Sequence, residues 1–214
     1  TKANINLNEN ACYIIIITRK RFYQFTGQKE KSMNKDNIII LNLSEFDVEN
    51  VGDDISDIIS DFTCTLNKDV ESFLHNNAIE FTRKKQSVTY LVLSGESAQL
   101  LGYFSLTIKP ITITIDVNTS ISNTMRKKIE RVSKFDEESH SYTLAAYLIA
   151  QLGKNFSENV DILIDGSDLL NLAVEKIKEA QNIVGGLAVF LEAEDNEKLL
   201  EFYKSKNGFV EFGS

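Results

Sequence analysis

The chain is poor in the residues that build sites of the commonest specialised kinds. Two cysteines, Cys12 and Cys64, in 214 residues and no secretion signal exclude a disulfide-stapled scaffold and predict reduced thiols in the cytoplasm. His75 and His140 are the only histidines; with no Cys/His cluster, no metal site is expected. The apolar run at residues 11–17 is far short of the roughly 20 residues that cross a bilayer, so no membrane partner is expected. Positive charge is outnumbered, with 23 Lys and Arg against 31 Asp and Glu. The net charge of −8 argues against a broad nucleic-acid footprint, although it permits a local one. The single proline, Pro110, precedes the alternating residues Ile111, Ile113, Ile115 and Val117, where the sheet is expected to bend into an edge.

The composition that remains, 43% hydrophobic and 25% charged residues, is that of an ordinary globular domain with ample chain for a core. Charge is unevenly placed. Residues 1–32 hold Lys2, Arg19, Lys20, Arg21, Lys29 and Lys31 against Glu9 and Glu30, a balance of +4, which leaves −12 for the rest of a chain at −8. These residues read as a leader or N-terminal arm that is not part of the native domain, with 33–214 as that domain; a genuine arm with a strand at residues 13–17 is the other reading.

From residue 33 the pattern is that of an α+β domain. A β-branched run at 38–43 suits a first strand. Residues 44–60 carry Phe46, Val48, Val51, Ile55, Ile58 and Ile59 at the spacing of short helical turns. Asn67 can cap a helix reaching about Arg83, since Val70, Phe73, Leu74, Ala78 and Phe81 fall on one face. Phe62 and Cys64 read as packing residues. Strands at 87–93 and 100–107 flank the turn Ser94-Gly95-Glu96-Ser97.

Residues 142–170 are the predicted working centre. Residues 143–152 are almost wholly apolar, as a strand buried on both faces would be, and stop at Gly153, whose bare backbone could admit a ligand. Asp165-Gly166-Ser167-Asp168 then opens a helix with Leu170, Ala173, Val174, Ile177 and Ala180 inward. A helix N-terminus beside a buried strand can hold an anion, or the segment is a plain strand–loop–helix crossover. Gly185-Gly186 ends the helix. A strand with Leu187, Val189 and Leu191 alternating follows, acidic at Glu192, Glu194 and Asp195, then a short helix at 196–204 and a last strand from Gly208-Phe209.

Residues 121–135 form a predicted basic helix, with Ile121, Met125, Ile129, Val132 and Phe135 in an apolar stripe and Arg126, Lys127, Lys128, Arg131 and Lys134 around it. It is either a solvated amphipathic helix or a patch for a phosphate-bearing substrate or an acidic partner.

The segment NEKLLEFYKSKNGF at 196–209 resembles a motif of the GNAT superfamily of N-acetyltransferases. There an Asn is followed three on by a small or apolar residue, seven on by a Tyr, and then by Gly-Phe; Asn196, Leu199, Tyr203, Gly208 and Phe209 fill those places. Phe62, Cys64, Phe73-Leu74, Ala78, Ser87-Val88-Thr89-Tyr90 and Gly102-Tyr103 resemble the toxin-like (toxin–antitoxin) branch. Coverage is about 36–214. The chain departs from the family's pyrophosphate loop, with Asp161 and Ile164 where Arg or Gln and Gly stand and only Gly166 matching. It also has one residue more than the pattern between Tyr203 and Gly208.

The resemblance implies a mixed, mostly antiparallel sheet of six to seven strands, splayed at the central strand and flanked by helices. It implies acetyl-CoA as cosubstrate and acetyl transfer to a primary amine, on a small molecule or on aminoacyl-tRNA; a catalytically silent GNAT-like binding module is the alternative. Leu152, Gly153 and Lys154 would meet the thioester and pantetheine arm, Gly166, Ser167 and Asp168 the diphosphate, and Asn196 would complete the cofactor side. Tyr203 would protonate the departing thiolate. Arg126, Lys127, Lys128 and Arg131 would form the substrate-side patch. Glu192, Glu194 or His140 could relay a proton from the amine, or an amine already neutral could attack directly. An antitoxin-like protein partner and a homodimer are further implications.

Overall fold

A computed structural model describes residues 11–17, 37–46, 53–115, 121–158, 160, 163–194 and 196–213. Val48, Val51, Val117, Asp161, Asp195 and most of the leader lie outside them. In chain order the elements are β1 (Ala11–Ile17), β2 (Ile38–Asn42), α1 (Asp53–Ser60), α2 (Lys68–Asn76), α3 (Ala78–Arg83), β3 (Val88–Ser94), β4 (Leu100–Thr114), α4 (Asn123–Ile129), β5 (Phe135–Asp136), β6 (Ser141–Lys154), α5 (Gly166–Val184), β7 (Ala188–Glu194), α6 (Glu197–Glu201) and β8 (Val210–Gly213). They fall into two units, one of Arg21–Thr107 and Ile149–Glu179, the other of Thr1–Lys20, Ile108–Leu148 and Ala180–Ser214. Three elements, β4, β6 and α5, therefore start in one unit and end in the other.

In the first unit, β2 pairs antiparallel with β3 (Ile38↔Ser94 to Asn42↔Tyr90), and β3 with β4 (Val88↔Leu106 to Leu93↔Leu100). The expected turn closes the β3–β4 hairpin: the Ala98 N–H donates to the Ser94 carbonyl and the Ser94 N–H to that of Gln99. Leu43, Ile55, Ile59, Phe62, Cys64, Leu74, Leu91, Leu93 and Tyr103 meet in one core, which confirms Phe62 and Cys64 as packing residues.

The helix expected from Asn67 to Arg83 is two. Asn67 does cap α2, its side chain accepting from the Asp69 and Val70 N–H groups. The chain then leaves helical geometry at Asn77 (φ −123°). Asn76 donates from its amide to the Ser72 carbonyl and hydroxyl. Such local bonds compete with the helix ladder, so two consecutive asparagines make a natural break.

In the second unit the ladder runs β4, β6, β7, β1, β8, with β5 beside β6. β6 and β7 pair in parallel from Ala146↔Ala188 to Leu148↔Phe190; β7–β1 and β1–β8 are antiparallel. The ladders pass through seven strands apart from β5, the mostly antiparallel α+β architecture expected, with β1 drawn from residues assigned to the leader.

The edge expected at Pro110 is present: the β3 register ends at Leu106, and β4 runs on through Pro110 to Thr114, where the missing proline N–H costs no bond on that side. Two expectations here change. β7 does not alternate: Ala188, Val189, Phe190 and Leu191 are all buried, because the strand is paired on both edges and covered on both faces. The basic helix is shorter than its periodicity suggests. α4 ends at Ile129, Val132 is 55% exposed, and Phe135 belongs to β5. The Ser133 hydroxyl donates to the Thr143 carbonyl, tying the chain to β6 where a helix would have continued.

Candidate active site

β6 begins with one exposed face and becomes buried on both from Ala146 to Ile149. It continues through Gly153 to Lys154. The bare Cα of Gly153 serves packing: a Cβ there would lie 2.5 Å from the Tyr103 ring, 2.6 Å from Val70 and 3.0 Å from Phe62. That face is filled by the core, so a ligand at residues 152–154 has only the backbone groups and the opposite face to use. Gly102 on β4 is the complement. A Cβ there would fall 2.6 Å from the Gly153 carbonyl oxygen and 3.1 Å from a Leu169 methyl, so Gly102 lets the end of β6 and the first turn of α5 converge.

Asn155 is fully buried just beyond β6 and was not expected. Its N–H donates to the Leu101 carbonyl and its side-chain amide to that of Leu100, while its Oδ1 accepts from Thr63 and Ser157 N–H groups. It sets where β6 stops. The only signal in the sequence is an Asn directly after a strand, which does not reveal partners so far away. Lys154 lays its ammonium over the Phe156 ring at 5.2 Å.

The first turn of α5 is closed by its own carboxylates. Asp165 Oδ1 accepts from the Asp168 N–H at 2.8 Å, and the Asp168 carboxylate turns back to the Asp165 N–H at 3.4 Å. This reciprocal box turns the Asp168 carboxylate back toward the cap. An α-helix supplies no partner of its own to its first N–H groups, so Gly166 and Ser167 remain the donors suited to a diphosphate.

In the other unit, Asn196 caps α6, its side-chain oxygen accepting from the Lys198 and Leu199 N–H groups. The helix passes directly into a π-helical turn, Phe202–Lys206. A π-turn holds one residue more than an α-turn, and it takes up the extra residue between Tyr203 and Gly208. Tyr203 is 8% exposed, its ring edge-on to Phe202 at 4.9 Å and Phe209 at 5.9 Å. Burial pushes its phenol up to about 12. Buried Tyr103, Tyr142 and Tyr147 donate to Val70, Glu130 and Gly185. Among the described residues the Tyr203 hydroxyl has no such partner, and at neutral pH it is a protonated donor.

Of the candidate bases, Glu192 is exposed and His140 lies 6.2 Å from the Phe135 ring in a left-handed backbone (φ +49°). Neither geometry marks it as a base. Lys127 on α4 and Arg131 just beyond it are exposed, as is Arg126, which bonds Glu130 and the Tyr142 hydroxyl. Among the described residues no group of three or more His, Cys, Asp and Glu could hold a metal, and no helix is long and apolar enough to cross a membrane.

No family model matches the chain, and no curated protein does. Solved structures do. A tyrosine-to-phenylalanine mutant of KacT is 21% identical, covering 83% of this chain and 89% of its own, with a TM-score of 0.58. AtaT complexed with acetyl-methionyl-tRNAfMet is 22% identical over 81% of this chain and 87% of its own, with a TM-score of 0.54. A tyrosine-to-phenylalanine mutant of the toxin AtaT bound to the C-terminus of the antitoxin AtaR is 18% identical over 83% and 93%, with a TM-score of 0.50. The chain has the fold of these proteins, the GNAT-like α+β fold that its Asn196-to-Phe209 motif resembles.

Proposed function

We propose that the chain is an acetyl-CoA-dependent N-acetyltransferase whose acceptor is a primary amine, the α-amino group of an aminoacyl-tRNA. The observation that carries this reading is the fold likeness to AtaT complexed with acetyl-methionyl-tRNAfMet, the kind of product such a transfer leaves. Acetyl-CoA would supply an activated thioester. Backbone groups of Leu152, Gly153 and Lys154 suit the pantetheine arm and the thioester oxygen, and the Gly166 and Ser167 N–H groups suit the diphosphate. Asp168 takes no part beyond the cap, and Asn196 supports the site only by holding α6.

The residue-level chemistry falls to Tyr203. When the amine attacks and the carbon–sulfur bond breaks, the sulfur leaves as a thiolate and the amine nitrogen must shed a proton. The Tyr203 phenol, protonated and without an acceptor among the described residues, donates to the sulfur; the nitrogen's proton passes to solvent and phenol is restored from solvent. A tRNA acceptor places the reaction in the cytoplasm. By analogy with AtaR-bound AtaT, an antitoxin-like protein is the expected partner.

Purified protein incubated with radiolabelled acetyl-CoA and methionyl-tRNA tests the reading. Label on the aminoacyl moiety, released with it on mild base, is the expected result. No transfer to any charged tRNA or amine, together with no calorimetric acetyl-CoA binding at millimolar ligand, would overturn it in favour of a silent module.

A further inference from the structure

The basic segment 126–134 does not use its cations equally. Arg126 Nε donates to Glu130 Oε1 at 3.2 Å and to the Tyr142 hydroxyl at 3.3 Å, and its guanidinium lies 5.7 Å from the Phe135 ring centroid. Tyr142, wholly buried on β6, donates its hydroxyl to the same Glu130 oxygen at 2.9 Å. One carboxylate oxygen thus collects a guanidinium from α4 and a phenol from β6, and an aromatic ring of β5 backs the cation. Glu130 is the only acidic residue between positions 121 and 135.

α4 needs such a fastening. At seven residues it is too short to be stable alone, and only Ile129 in it is buried. One apolar contact leaves a short helix free to roll about that residue. The charged hydrogen bonds at position 126 and the neighbouring 130 fix its rotation, and the Ser122 cap, accepting from the Met125 N–H at 3.2 Å, fixes its start. Lys127 and Arg131, one turn apart, are both exposed, and the segment's single carboxylate is already engaged by Arg126 and Tyr142.

We propose that Glu130, Tyr142 and Arg126 form a positioning lock that orients α4, and that the cations presented to an RNA phosphate backbone are Lys127 and Arg131, with Arg126 withdrawn from that contact. The proposal rests on the reading that the acceptor is RNA-borne. It names the part of that acceptor the segment meets, the backbone, and assigns the segment's first arginine to the ion pair with Glu130.

Binding of an uncharged initiator tRNA transcript, followed by fluorescence anisotropy across a salt series, separates the roles. Lys127→Gln and Arg131→Gln should each weaken binding and reduce the magnitude of the slope of log K against log salt by about one, as the loss of a phosphate contact does. Arg126→Gln, Glu130→Gln and Tyr142→Phe should weaken binding by roughly two- to fivefold, the range of a partly exposed ion pair, with the slope unchanged. The Arg126/Glu130 double variant should lose no more than either single one, because both break the same lock. Hydrogen exchange of the α4 amides, read without RNA, should speed up in the three lock variants and not in Lys127→Gln. A slope reduced by Arg126→Gln, or α4 exchange unaltered by Glu130→Gln, would overturn the lock while leaving the transferase reading intact. Wild-type protein that acetylates small amines but binds no RNA would overturn the RNA acceptor and this assignment together.

Discussion

A phenol that is buried, and whose hydroxyl has no acceptor among the described residues, is held by its ring alone. Tyr203→Phe keeps the ring between Phe202 and Phe209 and removes only the hydroxyl that donates. We expect single-turnover acetyl transfer to slow by about 10²-fold or more, with acetyl-CoA affinity and thermal stability close to wild type. A wild-type acetyl step in the folded variant would remove Tyr203 from the chemistry. Gly102 and Gly153 make a second pair of cases. At Gly102 the obstacle to a Cβ is the Gly153 carbonyl, fixed backbone, and at Gly153 it is the buried rings of Tyr103 and Phe62 and a Val70 methyl. Gly102→Ala and Gly153→Ala should therefore each destabilise by roughly 1–3 kcal/mol, as overpacking does. Urea midpoints of the two variants measure the losses, and a wild-type midpoint in either would show that its neighbours give way freely.

Among the elements, α5 presents the clearest conflict between stability and ligand. Its Asp165–Asp168 box stabilises the N-terminus, yet places two carboxylates where a diphosphate would sit. Replacing Asp165 with Ser and Asp168 with Gln preserves a capping box and removes both charges. Calorimetry should then report acetyl-CoA bound severalfold more tightly at unchanged helix content; unchanged affinity would mean that the diphosphate does not approach this turn. The box was half visible in the sequence, where D-x-x-D marked a helix start but not the direction of Asp168. Strands β2, β3, β6 and β7, and the helix end at Gly185-Gly186, were legible because apolar runs and glycine conformation are local properties. The Asn76–Asn77 break and the end of α4 were not, since apolar periodicity continues across both and the deciding bonds come from backbone at Ser72 and from distant Thr143. Asn155, Gly102 and the Arg126–Glu130–Tyr142 cluster escaped for the same reason: their roles depend on neighbours far away in sequence. Tyr203 was found only by resemblance, and its extra downstream residue made sense once the π-turn was seen.

For the whole molecule, two buried phenols tie stability to alkaline pH. Burial holds Tyr203 up to about 12 and Tyr103 higher still, against about 10 for a phenol in the unfolded chain. Below pH 10 both states keep these protons and stability is flat. As pH rises from about 10 toward 12 the unfolded chain releases protons that the folded chain retains, so stability must fall through that window. Urea midpoints should decline there, and decline less steeply in Tyr203→Phe. A midpoint steady to pH 11.5, with absorbance showing every tyrosine ionised in the native state, would contradict the burial of these rings.

The interleaving of the two units reaches into how the protein is made. β1 finds its partners almost at the other end of the sequence, Ala11 opposite Glu194 and Ile15 opposite Val210, and the unit that holds Phe62 and Tyr103 needs Ile149–Glu179 to return to it. Neither unit can close on a half-synthesised chain. At roughly 5–20 residues per second, about 10–40 s of synthesis separate Ile15 from its partner Val210, and the last ladder cannot form sooner. The proposed transferase would thus stay inert beside the ribosome until Val210 has been added, and its first turnover would follow the making of that strand.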